Sequence, residues 1–460
     1  MSRLVIASNR VMLPTLEKRE ASGGLAVAML DALKKKGGIW VGWSGRSVVE
    51  QPTDMDLLND GNITYATLDL SEKCYQEFYN GYCNSVLWPL FHYRMDMVHY
   101  DRTNFQSYQK VNNLFATNLK KLLKDDDIVW VHDYHFIPLA KKLRALRCTQ
   151  RMGFFLHTPW PTKEILMALP NHRDLVESLL DYDVIGFQTK GYVIAFMDYI
   201  VRELGGVVDE NGFIYVLGKK TKVQHFPISI DTKAFSQLAE QAEDSVHVKR
   251  LVNSVGEGKL ILGVDRLDYS KGILNRFEAY ESFLKAYPKH LRSTVLMQIA
   301  PTSRGHVNEY KEIREKLERK TGSINGAFSD FDWTPVRYLN KGFSRKLLAG
   351  FYRRSAVGLI TPLRDGMNLV AKEYVAAQSE TNPGVLILSR FAGAAEEMNG
   401  AIFVNPYDID GMADSMNLAL NMDLSERITR WTQMMDQLEH FDINKWRNDC
   451  LKAIEMTSKN

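Results

Sequence analysis

The chain has 460 residues, more than one hydrophobic core usually serves, so we expect two or three domains. Hydrophobic residues make up 45% and charged residues 25%, an ordinary composition for a soluble globular protein. The net charge of +3 excludes a strong global field, so neither nucleic acid nor a membrane is an expected partner. Any cationic function must be local.

Short β-branched runs alternate with helical patterns along the whole chain. In the first half, strands are predicted at residues 4–7, 39–42, 128–132, 153–156, 184–187 and 222–226. In the second half, strands are predicted at residues 260–264, 294–299, 336–339, 357–361, 385–388 and 401–404. Intervening helices include residues 25–36, 275–286, 309–320 and 369–378. This alternation predicts an α/β fold with parallel sheets, arranged as two doubly wound Rossmann-like domains.

The domain boundary is best placed between Pro227 and Gly258, where an acidic helical segment follows a strand. We assign residues 1–235 to an N-terminal domain and residues 236–440 to a C-terminal domain. Residues 441–460 form a helical segment that we expect to cross back onto the N-terminal domain. Its Trp446, like the apolar stripe before it, is interpreted as core packing.

Cysteine usage and hydropathy indicate where the protein works. The four cysteines are scattered and form no CxxC pair, which disfavours a disulfide framework or zinc site and favours a reducing compartment. The apolar run at residues 4–7 is too short for a signal peptide. No stretch approaches the roughly 18 apolar residues of a membrane span. We therefore expect a cytoplasmic protein.

Two charged turns, each following an apolar strand, lie about a hundred residues apart. The first charged turn, residues 264–272, carries Arg266 and Lys271, and the second charged turn occupies residues 363–373. In parallel sheets, ligands bind beyond the carboxyl ends of the strands, where both turns lie. A planar guanidinium and a compact ammonium suit a diphosphate. A salt-bridge network with the aspartates of the same loop is the alternative.

The second charged turn supplies groups suited to a sugar. Asn368 is predicted to cap the helix that begins at Leu369. Glu373 lies on the same face as Leu369 and Val370 of an apolar helix, where a carboxylate is costly unless it is hydrogen-bonded. Ribose hydroxyls would satisfy it, whereas a buried ion pair with Lys372 or a distant Arg is the alternative. Together the two turns indicate a nucleotide-sugar site.

Candidate ligand groups also follow the first strand. Gly23 and Gly24 precede the predicted helix at residues 25–36, where glycines allow a close backbone approach and the helix N-terminus favours an anion. On local grounds alone, an ordinary tight turn explains this glycine pair better than a ligand site does. Arg10 ends the first strand as either a ligand-facing cation or a solvated surface residue.

Polar clusters end two further strands of the first half. Asp133 and His157 should lie near each other at the carboxyl edge of the sheet. His132, His135 and His157 lack the spacing of a zinc motif, so metal binding is disfavoured and structural roles are expected for His132 and His135.

Three more residues are candidates for contact with a ligand. Arg304 follows the strand at residues 294–299 and presents a cation, while Tyr79 and Trp88 are suited to stacking on a sugar face. Packing in the core is the alternative for the two aromatic side chains.

Taken together, these segments resemble the trehalose-6-phosphate synthases, which are retaining glycosyltransferases of the GT-B type. The resemblance runs from residue 2 to about residue 442, and the bacterial stand-alone form is most similar because no phosphatase domain follows residue 460. Its motifs stand in order at Ser8-Asn9-Arg10, Gly23-Gly24, Leu87-Trp88-Pro89, His132-Asp133-Tyr134-His135, residues 266–272, residues 300–305 and residues 365–373. Small departures occur at residues 158–160 and at Asp265, which replaces a frequent Glu.

The resemblance implies a GT-B fold, two Rossmann-like domains with the active site in the interdomain cleft. It also implies transfer of glucose from UDP-glucose to glucose 6-phosphate with retention. We expect no cofactor or metal, because Arg266 and Lys271 would already neutralise the diphosphate. The donor would be bound by Gly23, Gly24, Arg266, Lys271, Phe343, Asp365, Gly366, Met367, Asn368, Leu369, Val370 and Glu373. The acceptor would be bound by Arg10, Tyr79, Trp88, Asp133, His157 and Arg304. Catalytic roles would belong to Asp133, His157, Arg266 and Lys271.

Three other functions remain open at this point. A related enzyme would use ADP- or GDP-glucose as donor, or glycerol 3-phosphate as acceptor. A pseudo-glycosyltransferase would couple cyclitols through nitrogen. A regulatory subunit would have no activity, although the intact set of charged site residues argues against it. Assembly into a homo-oligomer also stays open.

Overall fold

The computed structural model describes residues 2–14, 29–30, 32–34, 36–302 and 308–457. Within them the chain forms two compact units, unit 1 with Met1–Pro227 and Asn444–Asn460, and unit 2 with Ile228–Ile443. None of the helices in these ranges combines the length and the hydropathy that crossing a membrane would require.

Unit 1 is built on a sheet with the strand order β3-β4-β2-β1-β5-β6-β7-β10-β9-β8. Neighbours from β4 to β10 run parallel, whereas β3, β9 and β8 pair antiparallel at the two edges. The strands are β1 Leu4–Arg10, β2 Gly38–Val48, β3 Asp56–Asp60, β4 Ile63–Ser71, β5 Ile128–His132, β6 Arg151–Leu156, β7 Val184–Phe187, β8 Val207–Val208, β9 Phe213–Val216 and β10 Lys219–His225.

The predicted strands of the first half are confirmed, but an entirely parallel sheet is wrong for unit 1. The sequence analysis missed β3, β4, β8 and β9, which lie toward the two edges of the sheet. All five residues of β3 are exposed, so its sequence carries no buried apolar run. Edge strands solvated in this way lack the pattern that marks central parallel strands.

Helical segments of unit 1 cover the sheet. They are Glu72–Cys74, the π-helical Tyr75–Leu87, Trp88–Phe91, Arg102–Leu122, Leu139–Ala145, Lys163–Met167, His172–Leu179, Lys190–Leu204 and Ile443–Met456, with 3₁₀ turns at Met95–Met97 and Tyr134–Phe136. Of the predicted helix at residues 25–36, the described residues 29–30, 32–34 and 36 are helical.

The last helix of the chain packs into the core of unit 1 through Trp446. Its ring centroid lies 5.1 Å from that of Trp130 and 5.2 Å from that of Phe155. Trp446 is buried, so its interpretation as a core residue is confirmed.

Unit 2 contains a fully parallel sheet in the order β13-β12-β11-β14-β15-β16. The strands are β11 Lys259–Val264, β12 Thr294–Ile299, β13 Val336–Leu339, β14 Val357–Ile360, β15 Val385–Ser389 and β16 Ile402–Val404. The helices are Thr232–Glu243, Val246–Val255, Ile273–Ala286, Asn308–Phe328, Arg345–Arg354, Leu369–Ala377, Ile409–Leu420 and Leu424–His440, with 3₁₀ turns at Tyr269–Lys271, Pro288–His290 and Gly393–Glu396. Every strand and helix predicted for this half is present, with ends shifted by up to eight residues.

Both units use the strand order of a doubly wound nucleotide-binding fold. In unit 2 the direction of winding reverses between β11 and β14, and in unit 1 it reverses between β1 and β5. Ligands of such sheets bind in the crevice at this reversal, beyond the carboxyl ends of the strands. The two charged turns follow β11 and β14, while Arg10 and Asp133 stand at the ends of β1 and β5.

A buried ion pair fixes the helix Leu369–Ala377 within unit 2. Lys372 is fully buried, and its Nζ lies 2.6 Å from Glu397 Oε2. The same ammonium donates a hydrogen bond of 2.7 Å to the carbonyl of Ile228. Burial lowers the pKa of Lys372, and the neighbouring carboxylate of Glu397 opposes that shift.

We expect Lys372→Met to lower the free energy of unfolding by about 3–5 kcal/mol, because it leaves the carboxylate of Glu397 buried without its partner. The double variant Lys372→Met/Glu397→Met should lose clearly less, since it removes both charges. Urea titration of the three proteins measures these differences. Equal losses in the single and double variants would contradict the role assigned to the pair.

Candidate active site

The two charged turns are hydrogen-bonded to each other through their backbones. The carbonyl of Ser270 accepts from Leu363 N at 2.8 Å and from Arg364 N at 3.4 Å. Gly272 has a φ of +63°, and a Cβ at this position would overlap the carbonyl oxygen of Thr361. A glycine is therefore required where the first turn approaches the end of β14.

Charged side chains join the same two turns. Lys271 Nζ forms an ion pair with Asp365 Oδ2, and the two side chains are 12% and 10% exposed. Asn368 Nδ2 donates to the same carboxylate oxygen at 3.1 Å. Arg266 is exposed on the first turn. The cation of Lys271 and the anion of Asp365 are thus in contact at the carboxyl edge of the sheet. Arg266 is a second cation on the first charged turn.

Asn368 begins the helix Leu369–Ala377, as the sequence predicts. It adopts a left-handed conformation with φ 66°, and its side chain accepts a hydrogen bond from Ala371 N at 3.3 Å. Asparagine tolerates this conformation better than most residues. Gly366 is buried and Met367 is half-buried in the turn before the helix, where Met367 accepts a hydrogen bond from Ala394 N.

Glu373 lies on the half-buried face that also carries Leu369 and Val370. Its side chain is 15% exposed, and Oε1 lies 3.9 Å from Arg345 Nε. Burial raises the pKa of Glu373 to about 7, with Arg345 acting in the opposite direction. Of the two alternative ion-pair partners, Lys372 is wrong because it binds Glu397, whereas a distant arginine is confirmed as Arg345. A partner at 3.9 Å is beyond hydrogen-bond range, so the carboxylate retains capacity for hydroxyl donors.

Phe343 follows β13 and presents a half-buried ring. The ring packs edge-on against Phe351, with centroids 5.6 Å apart, and Lys341 Nζ lies 5.2 Å from its centroid. An aromatic ring held in this way offers a flat surface on which a nucleobase can pack.

In unit 1 the predicted acceptor residues Arg10 and Tyr79 meet around Trp43. Arg10 is exposed at the end of β1, in register with Trp43 on β2. The rings of Trp43 and Tyr79 have centroids 5.7 Å apart. Gly45 leaves room for the guanidinium, because a Cβ there would lie 2.9 Å from Arg10 Nε. Tyr79 in turn stacks on His135 at 5.8 Å.

Asp133 and His157 lie together, as their positions after neighbouring strands predict. His157 N donates to Asp133 Oδ1 at 3.4 Å. Asp133 has φ 72° and ψ 167°, a conformation that non-glycine residues adopt rarely and at a cost of about 1–3 kcal/mol. Backbone strain of this kind clusters at functional sites.

His132 and His157 form a buried pair. His132 Nδ1 and His157 Nε2 share a hydrogen bond of 3.0 Å, and the rings are nearly parallel. Burial lowers the pKa of His157 to about 3 and holds the pKa of His132 well below its usual range. Both rings are therefore neutral at pH 7. Among the described residues, no group of three or more His, Cys, Asp or Glu side chains is arranged to hold a metal ion.

Four predicted site residues remain, of which the structure describes only Trp88. Trp88 is buried and packs 4.1 Å from the ring of His92, so it contributes to the core of unit 1. Its contact with a sugar stays a prediction. Gly23, Gly24 and Arg304 lie outside the described residues.

Comparison with known proteins identifies the family. The model of glycosyltransferase family 20 matches residues 5–456. The chain belongs to glycosyltransferase family 20. It is 47% identical to the trehalose-6-phosphate synthase of Sinorhizobium fredii, over 100% of this chain and 99% of that protein.

Solved structures of family members agree with this fold. An α,α-trehalose-phosphate synthase (UDP-forming) of Burkholderia xenovorans in complex with glucose 6-phosphate has a TM-score of 0.94 at 45% identity, covering 98% of this chain and 100% of that chain. A structure named trehalose-6-phosphate from E. coli, bound with UDP-2-fluoro glucose, has a TM-score of 0.95 at 45% identity and covers 100% of both chains.

The sequence analysis of this family 20 chain missed Arg276. Arg276 is fully buried in the helix Ile273–Ala286, beneath the first charged turn. It lies on the apolar stripe with Ile273, Phe277 and Tyr280, which are also buried. A charge on an apolar stripe is the signal that singled out Glu373, and it could have revealed Arg276 as well.

The raised pKa of Glu373 predicts a specific dependence of stability on pH. The folded carboxyl keeps its proton up to about pH 7, whereas the ordinary pKa of a glutamate is 4.5. The free energy of unfolding should therefore fall as pH rises from about 4.5 to 7, by about 1.4 kcal/mol per pH unit from this group. In Glu373→Gln this contribution is absent. The difference in the free energy of unfolding between wild type and variant, measured by urea titration at several pH values, therefore gives the slope. A difference that does not change with pH would refute the raised pKa.

Proposed function

We propose that the protein transfers glucose from UDP-glucose to glucose 6-phosphate with retention, producing α,α-trehalose 6-phosphate and UDP. The observation that carries this proposal is the joining of the two charged turns where the winding of unit 2 reverses. There, Lys271 and Asp365 bring a cation and a sugar-binding carboxylate together. The names and bound ligands of the family 20 relatives support the same reaction.

Unit 2 is proposed to bind the donor. Arg266 and Lys271 would contact the diphosphate, because a guanidinium and an ammonium suit its oxygens. Glu373 would accept hydrogen bonds from the ribose hydroxyls, for which its carboxylate has free capacity. Phe343 would face the uracil. The donor sugar is assigned to the second charged turn, specifically to Asp365, Gly366, Met367, Asn368, Leu369 and Val370.

Unit 1 is proposed to bind the acceptor. Arg10 is an exposed cation in register with Trp43, whose ring packs against Tyr79, and this arrangement suits a sugar phosphate. Asp133 and His157 lie at the carboxyl edge of the same sheet, where they would bind hydroxyls of the sugar. We extend the proposal to Arg304, Gly23, Gly24 and Trp88 on the resemblance of their motifs alone. A cytoplasmic location is proposed because the scattered cysteines favour a reducing compartment.

The proposed chemistry occurs on one face of the donor sugar. The bond between the anomeric carbon and the UDP phosphate oxygen breaks while the anomeric hydroxyl of glucose 6-phosphate attacks from the same side. The departing phosphate oxygen takes the proton of that hydroxyl, so the proton lost by the acceptor ends on UDP. Arg266 and Lys271 would stabilise the charge that develops on the phosphate. The protein thus supplies position and charge rather than a covalent intermediate.

Incubation with UDP-glucose and glucose 6-phosphate tests the proposal. We expect UDP and a disaccharide phosphate that trehalase cleaves after dephosphorylation. Parallel reactions with ADP-glucose or GDP-glucose measure the specificity for the donor, and reactions with glycerol 3-phosphate measure the specificity for the acceptor. Turnover only with one of those alternatives would overturn the assignment of substrates. The absence of turnover with every pair would favour a pseudo-glycosyltransferase that couples cyclitols or a regulatory protein.

Arg266→Ala should lower kcat by about 10²–10³-fold, because an interaction with the leaving group strengthens as the bond breaks. The affinity for UDP should change much less. Arg314→Ala is the matched control, since Arg314 is an exposed arginine of unit 2 bound to Glu318. Steady-state kinetics and calorimetry with UDP measure both effects. If UDP affinity falls as much as kcat, Arg266 does not act on the developing charge.

No divalent metal is required in this proposal, because two cationic side chains would neutralise the diphosphate. We expect kcat to stay unchanged in excess EDTA. Loss of turnover in the chelator, restored by Mg²⁺, would show that the diphosphate needs a metal as well.

A further inference from the structure

Arg276 is the centre of a hydrogen-bond network beneath the two charged turns. Its side chain is fully buried, and one guanidinium nitrogen lies 2.6 Å from both Asp265 Oδ2 and Gln298 Oε1. Nε donates to Thr361 Oγ1 at 3.1 Å. The second terminal nitrogen lies 3.5 Å from the carbonyl of Lys271.

These four acceptors come from different elements of the sheet edge. Asp265 directly follows β11, Thr361 directly follows β14, and Gln298 lies in β12. Lys271 belongs to the first charged turn itself. One planar side chain therefore holds the ends of both strands at the point where the winding of unit 2 reverses. A guanidinium can do this because its donors have a fixed geometry, which an ammonium lacks.

The residues around Arg276 leave space for this network and shield it from solvent. Gln298 Nε2 donates to Asp265 Oδ2 at 3.3 Å, so the two acceptors of Arg276 are also bonded to each other. A Cβ at Gly263 would overlap Gln298 Oε1 and lie 2.6 Å from Arg276. The side chains of Arg276 and Asp265 are 0% and 2% exposed, which excludes water from the pair.

We propose that Arg276 is a positioning residue, which fixes the first charged turn relative to the second so that Lys271 meets the donor diphosphate correctly. This inference rests on the proposed function of the site. Neutralising Asp265 does not require an arginine, since apolar pairs replace buried ion pairs without loss of stability in many proteins. The four-way geometry is the feature that a purely structural role leaves unexplained.

Arg276→Lys tests the proposal, because it keeps the positive charge and removes the planar guanidinium with its fixed donors. We expect kcat to fall by about 10- to 100-fold, the effect of a displacement near 1 Å at reacting groups. The affinity for UDP should fall less, and KM for glucose 6-phosphate should stay within about twofold. Arg353→Lys is the matched control: Arg353 binds Glu243 and the carbonyl of Ala377, away from both turns. Its kcat should be unchanged.

A neutral double variant separates positioning from charge compensation. Asp265→Asn/Arg276→Met should recover most of the thermal stability that Arg276→Met alone loses, because no buried charge is left unpaired. Its kcat should remain as low as that of Arg276→Lys. Recovery of kcat together with stability would overturn the proposal, as would a kcat of wild-type size in Arg276→Lys.

Two further measurements keep the test decisive. If the Arg276 variants do not fold, Thr361→Val removes one acceptor and keeps the shape, and its kcat should fall at least about threefold; an unchanged kcat would overturn the proposal. If the wild type makes no trehalose 6-phosphate, the proposed function fails independently. UDP binding then tests Arg276 alone, and equal UDP affinity in wild type and Arg276→Lys would reject its positioning role.

Discussion

The site of unit 2 depends on the contact between its two charged turns. Each turn follows a different strand, and the carbonyl of Ser270 accepts hydrogen bonds from the backbone of the second turn. The ion pair between Lys271 and Asp365 spans the same contact, and Arg276 holds both strand ends below it. The position of the Lys271 ammonium is therefore set by a parallel sheet rather than by a flexible loop. Preorganisation of this kind is what electrostatic stabilisation of a leaving group requires.

The buried polar groups near the two candidate binding sites differ in charge. Unit 2 buries charges and compensates them, as in Lys372 with Glu397 and Arg276 with Asp265. At the carboxyl edge of unit 1, His132 and His157 are buried as neutral rings, and the backbone of Asp133 is strained beside them. These arrangements suit the two proposed substrates. A diphosphate that gains charge needs fixed cations, whereas the hydroxyls of an acceptor sugar need neutral or anionic hydrogen-bond partners.

Much of the fold could be predicted because parallel strands are buried on both faces and read as apolar runs. All twelve strands predicted from such runs are present. Four strands were not predicted, for different reasons. All residues of β3 are exposed, whereas β4 is largely buried but mixes threonine and aspartate with its apolar residues. The strands β8 and β9 have only two and four residues. In the site, adjacency after neighbouring strands correctly predicted the contact of Asp133 with His157, and the capping preference of asparagine predicted Asn368.

The sequence by itself determined the α/β class, the order of the central strands along the chain and the charged turns that end them, because these follow from local patterns of burial and turn chemistry. Only the tertiary structure decided which side chains are partners. Glu373 faces Arg345 at 3.9 Å rather than Lys372, its neighbour in sequence, because Lys372 points into the core toward Glu397. Arg276 reaches acceptors up to 85 positions away. Such pairings depend on the winding of the sheet, which brings distant strand ends together and has no local signature.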